Sequence, residues 1–142
     1  MQLHIGSDHA GFTMKEELKQ YLLSNGHSVE DHGTYSLDST DYPDYAHALS
    51  SAVEKDNNSL GILLCGSANG VCITANKHQG IRAALCWEPE IAQLARAHNN
   101  ANVICIPARF VDKATAEEMV HLFLTTSFEG GRHQTRVAKI AL

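Results

Sequence analysis

The sequence predicts an α/β fold: a five-stranded parallel sheet with helices on both faces, a doubly wound, Rossmann-like αβα sandwich. Two observations carry this. Short apolar runs alternate with helical patterns along the whole chain. One run, Leu60 to Leu64, is continuously apolar, as a central parallel strand covered on both faces requires. The 142 residues, 44% of them hydrophobic, suit one domain, 1–142, with a single substantial core.

Each element has its own reason. Leu3 to Gly6 is a short first strand. Phe12 to Asn25 places Leu18, Tyr21 and Leu22 on one helical face, and Gly26 stops it. Ser28 to Asp31 is a weak second strand. Tyr42 to Glu54 carries the stripe Tyr45, Ala46, Leu49 and Val53, and is a second helix. After the Leu60–Leu64 strand, Ala68 to Asn76 opens a short helix. Arg82 to Cys86 is a fourth strand, Glu88 to Ala97 a helix, and Asn102 to Ile106 a fifth strand. Asp112 caps a helix reaching Thr125. Gly130-Gly131 breaks the chain before a last helix at about 131–141, which is free to pack on a partner chain. Right-handed crossovers make the sheet doubly wound.

Bulk properties exclude several functions. A net charge of −5 argues against a nucleic-acid partner. No stretch approaches the roughly 18 apolar residues that span a membrane, and the start has no signal-peptide pattern, so the expected location is cytoplasmic. Cys65, Cys72, Cys86 and Cys105 form no C-x-x-C pair and give no zinc or redox signature. Cys72, Cys86 and Cys105 read as reduced, buried packing residues.

Ligands of such sheets bind beyond the carboxyl ends of the strands. Asp8 and His9 follow strand one there, Thr40, Asp41 and Tyr42 follow strand two, and Arg109 follows strand five. Cys65, Gly66, Ser67, Ala68, Asn69 and Gly70 follow strand three. The loop 66–70 leads into a helix, so its free amides suit a phosphate or an oxyanion. It lacks the Lys-Ser/Thr of a Walker loop and the spacing of a dinucleotide fingerprint. The helix start would lower the Cys65 pKa, making the thiol a nucleophile or a general base. An inert core cysteine beside a turn remains an equal reading of the loop alone. Arg132 and Arg136 share a helix face beside His133, a local basic cluster suited to phosphate or a merely solvated face. His98 and Asn99 sit just before strand five.

The stretches GSDHAG, TDYPDYA, CGSANG, GIRAALC, ARAHNNANV and EGGRHQTRV follow one another in that order. Together they resemble type B ribose-5-phosphate isomerase, of the family that also holds galactose-6-phosphate isomerase subunits, over essentially the whole chain. The resemblance implies interconversion of ribose 5-phosphate and ribulose 5-phosphate, a step of the pentose phosphate pathway, with no metal or organic cofactor. It implies a homodimer with shared active sites, or a tetramer of two dimers. It assigns Cys65 as the base that moves a proton through an enediolate. Ser67 and the amides of Gly66 to Gly70, including Ala68 and Asn69, would steady the oxyanion. His98 would open the sugar ring, with Asp8 and Asn99 on its hydroxyls and Tyr42 lining the pocket. His9, Arg109, Arg132, His133 and Arg136 would hold the phosphate. Many members have glycine at position 68, so the Ala68 methyl bears on pocket size and on the choice between five- and six-carbon sugars. The competing readings are a six-carbon sugar-phosphate isomerase, for allose 6-phosphate or galactose 6-phosphate, a non-catalytic sugar-phosphate sensor, and a thiol-redox protein.

Overall fold

The computed structural model describes all residues 1–142. Five strands, β1 (Gln2–Ser7), β2 (Ser28–Asp31), β3 (Leu60–Cys65), β4 (Ala83–Leu85) and β5 (Val103–Pro107), form one sheet in the order β2-β1-β3-β5-β4. Every pairing is parallel. The helices are α1 (Phe12–Ser24), α2 (Tyr42–Lys55), α3 (Asn69–Ala75), α4 (Pro89–Asn99), α5 (Lys113–Thr125) and α6 (Arg132–Ala138). A single 3-10 turn, His9–Gly11, joins β1 to α1.

Strand alternation splits the core into two layers. Leu3, Ile5, Ile62, Leu64, Ile104 and Ile106 face α1, α4 and α5. Leu63, Val103 and Cys105 face α2 and α3. The doubly wound fold is therefore as expected. The chain leaves β1 toward β2 on one side and passes from β2 to β3 on the other. The strand order thus reverses at β1 and β3, and the carboxyl ends of those two strands form the crevice where such folds bind ligands.

Several boundaries shift. β4 keeps only Ala83–Leu85 of the expected 82–86 run. Helix α3 starts at Asn69, because Ala68 sits in the left-handed region at φ 61° and serves as its cap. Helix α4 runs through Asn99, so His98 and Asn99 belong to its last turn rather than to the link before β5; Asn100, at φ 47°, ends it. The last helix closes at Ala138, short of the expected 141. Cys86 and Cys105 are buried as expected, whereas Cys72 is only partly buried at the edge of the α2–α3 layer.

Lys15 is fully buried, with Nζ 2.6 Å from Asp31 Oδ2 and 2.9 Å from Glu16 Oε1. This ion pair ties α1 to the end of β2. No helix is long and apolar enough to cross a membrane.

Candidate active site

Cys65 ends β3 and Asp8 follows β1, so the parallel register brings them side by side: Ser7 pairs with Leu64. The Cys65 thiol donates to Asp8 Oδ2 at 3.1 Å. The other Asp8 oxygen accepts from the amides of Ala10 and Gly11 at 3.0 and 3.2 Å. Asp8 is thus the cap of the 3-10 turn and the partner of the thiol at once. That turn lies directly on β3. A Cβ at Gly11 would come within 2.8 Å of the Leu64 backbone, so only glycine lets Asp8 approach Cys65 this closely.

The thiol is not the activated one expected from the helix start. Burial and the hydrogen-bonded, negatively charged Asp8 push it up to about 11. The Gly66 and Ala68 amides aim at the sulfur and pull the other way, but they are outweighed. In the free protein Cys65 is therefore a neutral thiol at pH 7.

The remaining carboxyl-end residues gather around this pair. His9 Nδ1 accepts from the Thr40 amide at 3.2 Å, leaving Nε2 as the ring's donor. The Tyr42 ring packs against Gly70 so closely that any side chain at position 70 would collide with it. Arg109 donates its backbone N–H to Gly66 O at 3.1 Å and lays its side chain along Gly66. Ser67 Oγ accepts from the Asn69 amide and side chain at 3.4 and 3.3 Å. Ala68 is fully buried and its methyl belongs to the α2–α3 apolar layer. It packs into the core and does not narrow the crevice.

Beside Ser67 and Asn69 lies an open groove of about 580 Å³ flanked by Leu85, Trp87, Pro107 and Phe110. Trp87 and Phe110 are 50% and 75% exposed. A larger groove lies elsewhere, about 660 Å³ under the carboxyl-terminal tail, and holds only Asn99 of the candidate residues.

The second half of the candidate set is not in this crevice. Helix α4 runs antiparallel to the strands and delivers His98 to their amino ends. Helix α6 packs on α4, and the Glu129 amide donates to Ala97 O at 3.0 Å. His98 and His133 stack with ring centroids 4.2 Å apart and planes 8° from parallel. Glu129 Oε2 lies 3.5 Å from His98 Nε2 and 3.9 Å from His133 Nε2. Desolvation in the stack holds His133 below the ordinary histidine value, and the charges of His98 and Arg132 add to this. Arg132 and Arg136 project into solvent from the same helix. Within one chain, Cys65 pairs with Pro107 and Gly61 with Val103. The two ends are thus separated by four strand steps, about 13 Å at roughly 3.3 Å each, and His98 lies beyond them. No single imidazole reaches across.

Asp8 as the thiol's partner is the role that residue-type reasoning missed. The signal was present as a strand-end Asp followed by a helix, but its aim depends on the β1–β3 register.

The model for the Ribose/Galactose Isomerase family matches residues 3–140. Ribose-5-phosphate isomerase B of Escherichia coli is 44% identical over 139 residues, covering 98% of this chain and 93% of its own. A ribose 5-phosphate isomerase from Thermotoga maritima superposes with a TM-score of 0.96 at 50% identity, covering 99% of this chain and 97% of its own. The Mycoplasma genitalium ribose-5-phosphate isomerase B, solved with bound ribulose-5-phosphate, superposes at 0.95 with 43% identity, covering 98% and 93%. With a matching fold and similarity along nearly its whole length, the chain belongs to the ribose/galactose isomerase family.

Proposed function

We propose that this protein interconverts ribose 5-phosphate and ribulose 5-phosphate, a reaction of the pentose phosphate pathway, in a cytoplasmic homodimer whose active sites are shared between subunits. The observation that carries the reading is the Cys65–Asp8 pair, with two loop amides aimed at the sulfur. The E. coli and M. genitalium relatives bear the name of this activity.

Isomerisation moves one proton between neighbouring carbons. In the open-chain aldose, a base takes the proton from C2 and the carbonyl oxygen at C1 gains charge, giving an enediolate. Return of a proton to C1, with transfer of the hydroxyl proton from O2 to O1, gives the ketose. Cys65 is the base. Its thiol must first release its proton to solvent, and burial and the Asp8 charge oppose that in the free protein. Sugar hydroxyls that donate to Asp8 offset this charge and leave the Gly66 and Ala68 amides to favour the thiolate. The same loop, with Ser67, Asn69 and Gly70, steadies the enediolate oxygen. Tyr42 walls the sugar. Binding of the remote phosphate aims C1 and C2 at the sulfur.

His98 opens the sugar ring, and Asn99 holds a hydroxyl. Arg132, Arg136 and His133 hold the phosphate together with His9 and Arg109. The first five residues stand at the wrong end of their own sheet, so a partner subunit supplies them. The exposed Trp87 and Phe110 beside Ser67 give such a partner an apolar seat.

A coupled assay of the purified protein tests the activity: ribose 5-phosphate is turned over in preference to allose 6-phosphate and galactose 6-phosphate. Preference for either six-carbon substrate replaces this reading with the six-carbon one, and tight sugar-phosphate binding without turnover replaces it with a sensor. Arg132→Ala and Arg136→Ala each raise KM tenfold or more, since a charge-assisted contact contributes roughly 1.5–3 kcal/mol. Unchanged KM in both would make the cluster a solvated helix face.

A further inference from the structure

A second constellation of ligating side chains lies at the opposite edge of the sheet from β4, away from every residue used above. His4 on β1 and Glu30 on β2 are register partners, and His32 is two residues beyond Glu30 on the same face. All three side chains turn toward α2. His4 Nδ1 is 3.0 Å from His32 Nε2 and 3.3 Å from Glu30 Oε2, and His32 Nε2 is 4.0 Å from Glu30 Oε1. One ligand atom from each residue lies within 4.8 Å of the other two. They open into a groove of about 450 Å³ whose far wall is Ala48, Ser51 and Ala52 of α2, small residues that leave room over the imidazoles.

We propose that His4, Glu30 and His32 form a binding site for a divalent transition-metal ion of the zinc class, separate from the isomerase site. Two imidazole nitrogens and one carboxylate are a donor set that zinc takes in tetrahedral sites, with solvent from the groove in the fourth position. Ligands about 2.0–2.1 Å from a tetrahedral ion stand about 3.3 Å apart. The His4–Glu30 pair already has this spacing. The two imidazole nitrogens need to open by only a few tenths of an ångström.

The two rings are aimed at each other, so one must give up a lone pair to the other's N–H while the ion is absent. An ion would take both lone pairs. His4 is buried and His32 nearly so, with 5% and 12% of their side chains exposed, which limits their freedom to turn elsewhere. The ion would join the edge strand β2 to β1. The segment after His32 then pairs back onto β1, with the Ser7 amide on Gly33 O and the Thr34 amide on Ser7 O, both at 2.7 Å. The site therefore braces the strand end that leads to Asp8 without touching substrate.

The experiment uses the full-length protein stripped by chelation, titrated with Zn²⁺ by calorimetry and followed by thermal melting. The His98–Glu129–His133 group can also attract the ion, so the readout is the difference between wild type and variants in the proposed site. Wild type binds one equivalent that Glu30→Gln and His32→Gln lose or bind at least tenfold more weakly. At a hundredfold excess over Kd, Zn²⁺ raises the wild-type Tm by about 5–10 °C, and this rise shrinks in both variants. Both metal-free variants keep wild-type isomerase activity and melt as single cooperative transitions. Wild type that binds no Zn²⁺, or variants that match its stoichiometry and affinity, overturn the site, in which case the cluster is only a hydrogen-bonded histidine pair. Neither result bears on ribose 5-phosphate turnover, which the coupled assay decides.

Discussion

At the scale of the residue, the decisive interaction is one hydrogen bond, from the Cys65 thiol to Asp8 Oδ2. Burial and Asp8 together hold the thiol at about 11, whereas the loop amides alone would favour the thiolate. Removing the charge while keeping the shape takes away the Asp8 contribution and leaves burial opposed by the loop amides. Asp8→Asn therefore lowers the Cys65 pKa, and alkylation of the variant at pH 8 is faster than that of wild type although isomerisation falls. The wild-type alkylation rate keeps climbing above about pH 10, where an ordinary cysteine has levelled off. Equal alkylation rates at pH 8 would remove Asp8 as the cause. Cys65→Ala removes the proposed base, lowers turnover by about 10²–10⁴-fold, and leaves sugar-phosphate binding within a few-fold; near-normal turnover would sink the base assignment.

At the scale of the element, the site depends on how closely the 3-10 turn His9–Gly11 lies on β3. Gly11 has no room for a Cβ, and the atoms it would meet are backbone and cannot swing aside. Gly11→Ala pushes the turn off the strand and carries Asp8 with it. The expected loss is roughly 1–3 kcal/mol of stability, read by denaturant unfolding, together with a fall in kcat. Full activity in this variant would show that the thiol does not need Asp8 at contact distance. Ala68 tests the opposite case. Its left-handed backbone is unfavourable by about 1 kcal/mol for a residue with a Cβ, while its methyl is buried in the α2–α3 layer. Burial of that methyl offsets about as much. Ala68→Gly accordingly leaves both Tm and the ratio of five- to six-carbon turnover nearly unchanged. A switch in that ratio would place the methyl in the pocket after all.

At the scale of the whole molecule, one chain places the candidate residues at two opposite ends of its sheet. Asp8, His9, Tyr42, Cys65 and Arg109 stand at the carboxyl ends of the strands, and His98, His133 and both C-terminal arginines at the amino ends. Complementation tests whether two chains complete each other. Cys65→Ala and His98→Ala chains are co-expressed and the mixed dimer isolated. In a shared arrangement, one site of the mixed dimer has both intact residues and the other has neither. It therefore recovers about half the wild-type activity, by the two-site arithmetic of a symmetric pair. No recovery from a verified mixed dimer places both residues in one subunit.

The fold class, the parallel sheet and the strand-end thiol were legible in the sequence, because alternation and apolar runs are local signals set by the period of the backbone. The stretches from GSDHAG to EGGRHQTRV also carried the family. The limits of α4 and β4 were not legible, since the left-handed Asn100 and the bond from the Arg82 amide to Asn102 Oδ1 depend on neighbouring loops. The raised Cys65 pKa was not legible either. A helix start is visible in sequence, but the opposing carboxylate arrives from 57 residues away through the β1–β3 register. The same reason hid the His4–Glu30–His32 cluster: no short spacing joins residue 4 to residues 30 and 32, and only strand pairing sets their side chains on one face. Local chemistry is written along the chain, whereas the electrostatic state of a buried group depends on what the tertiary structure places beside it.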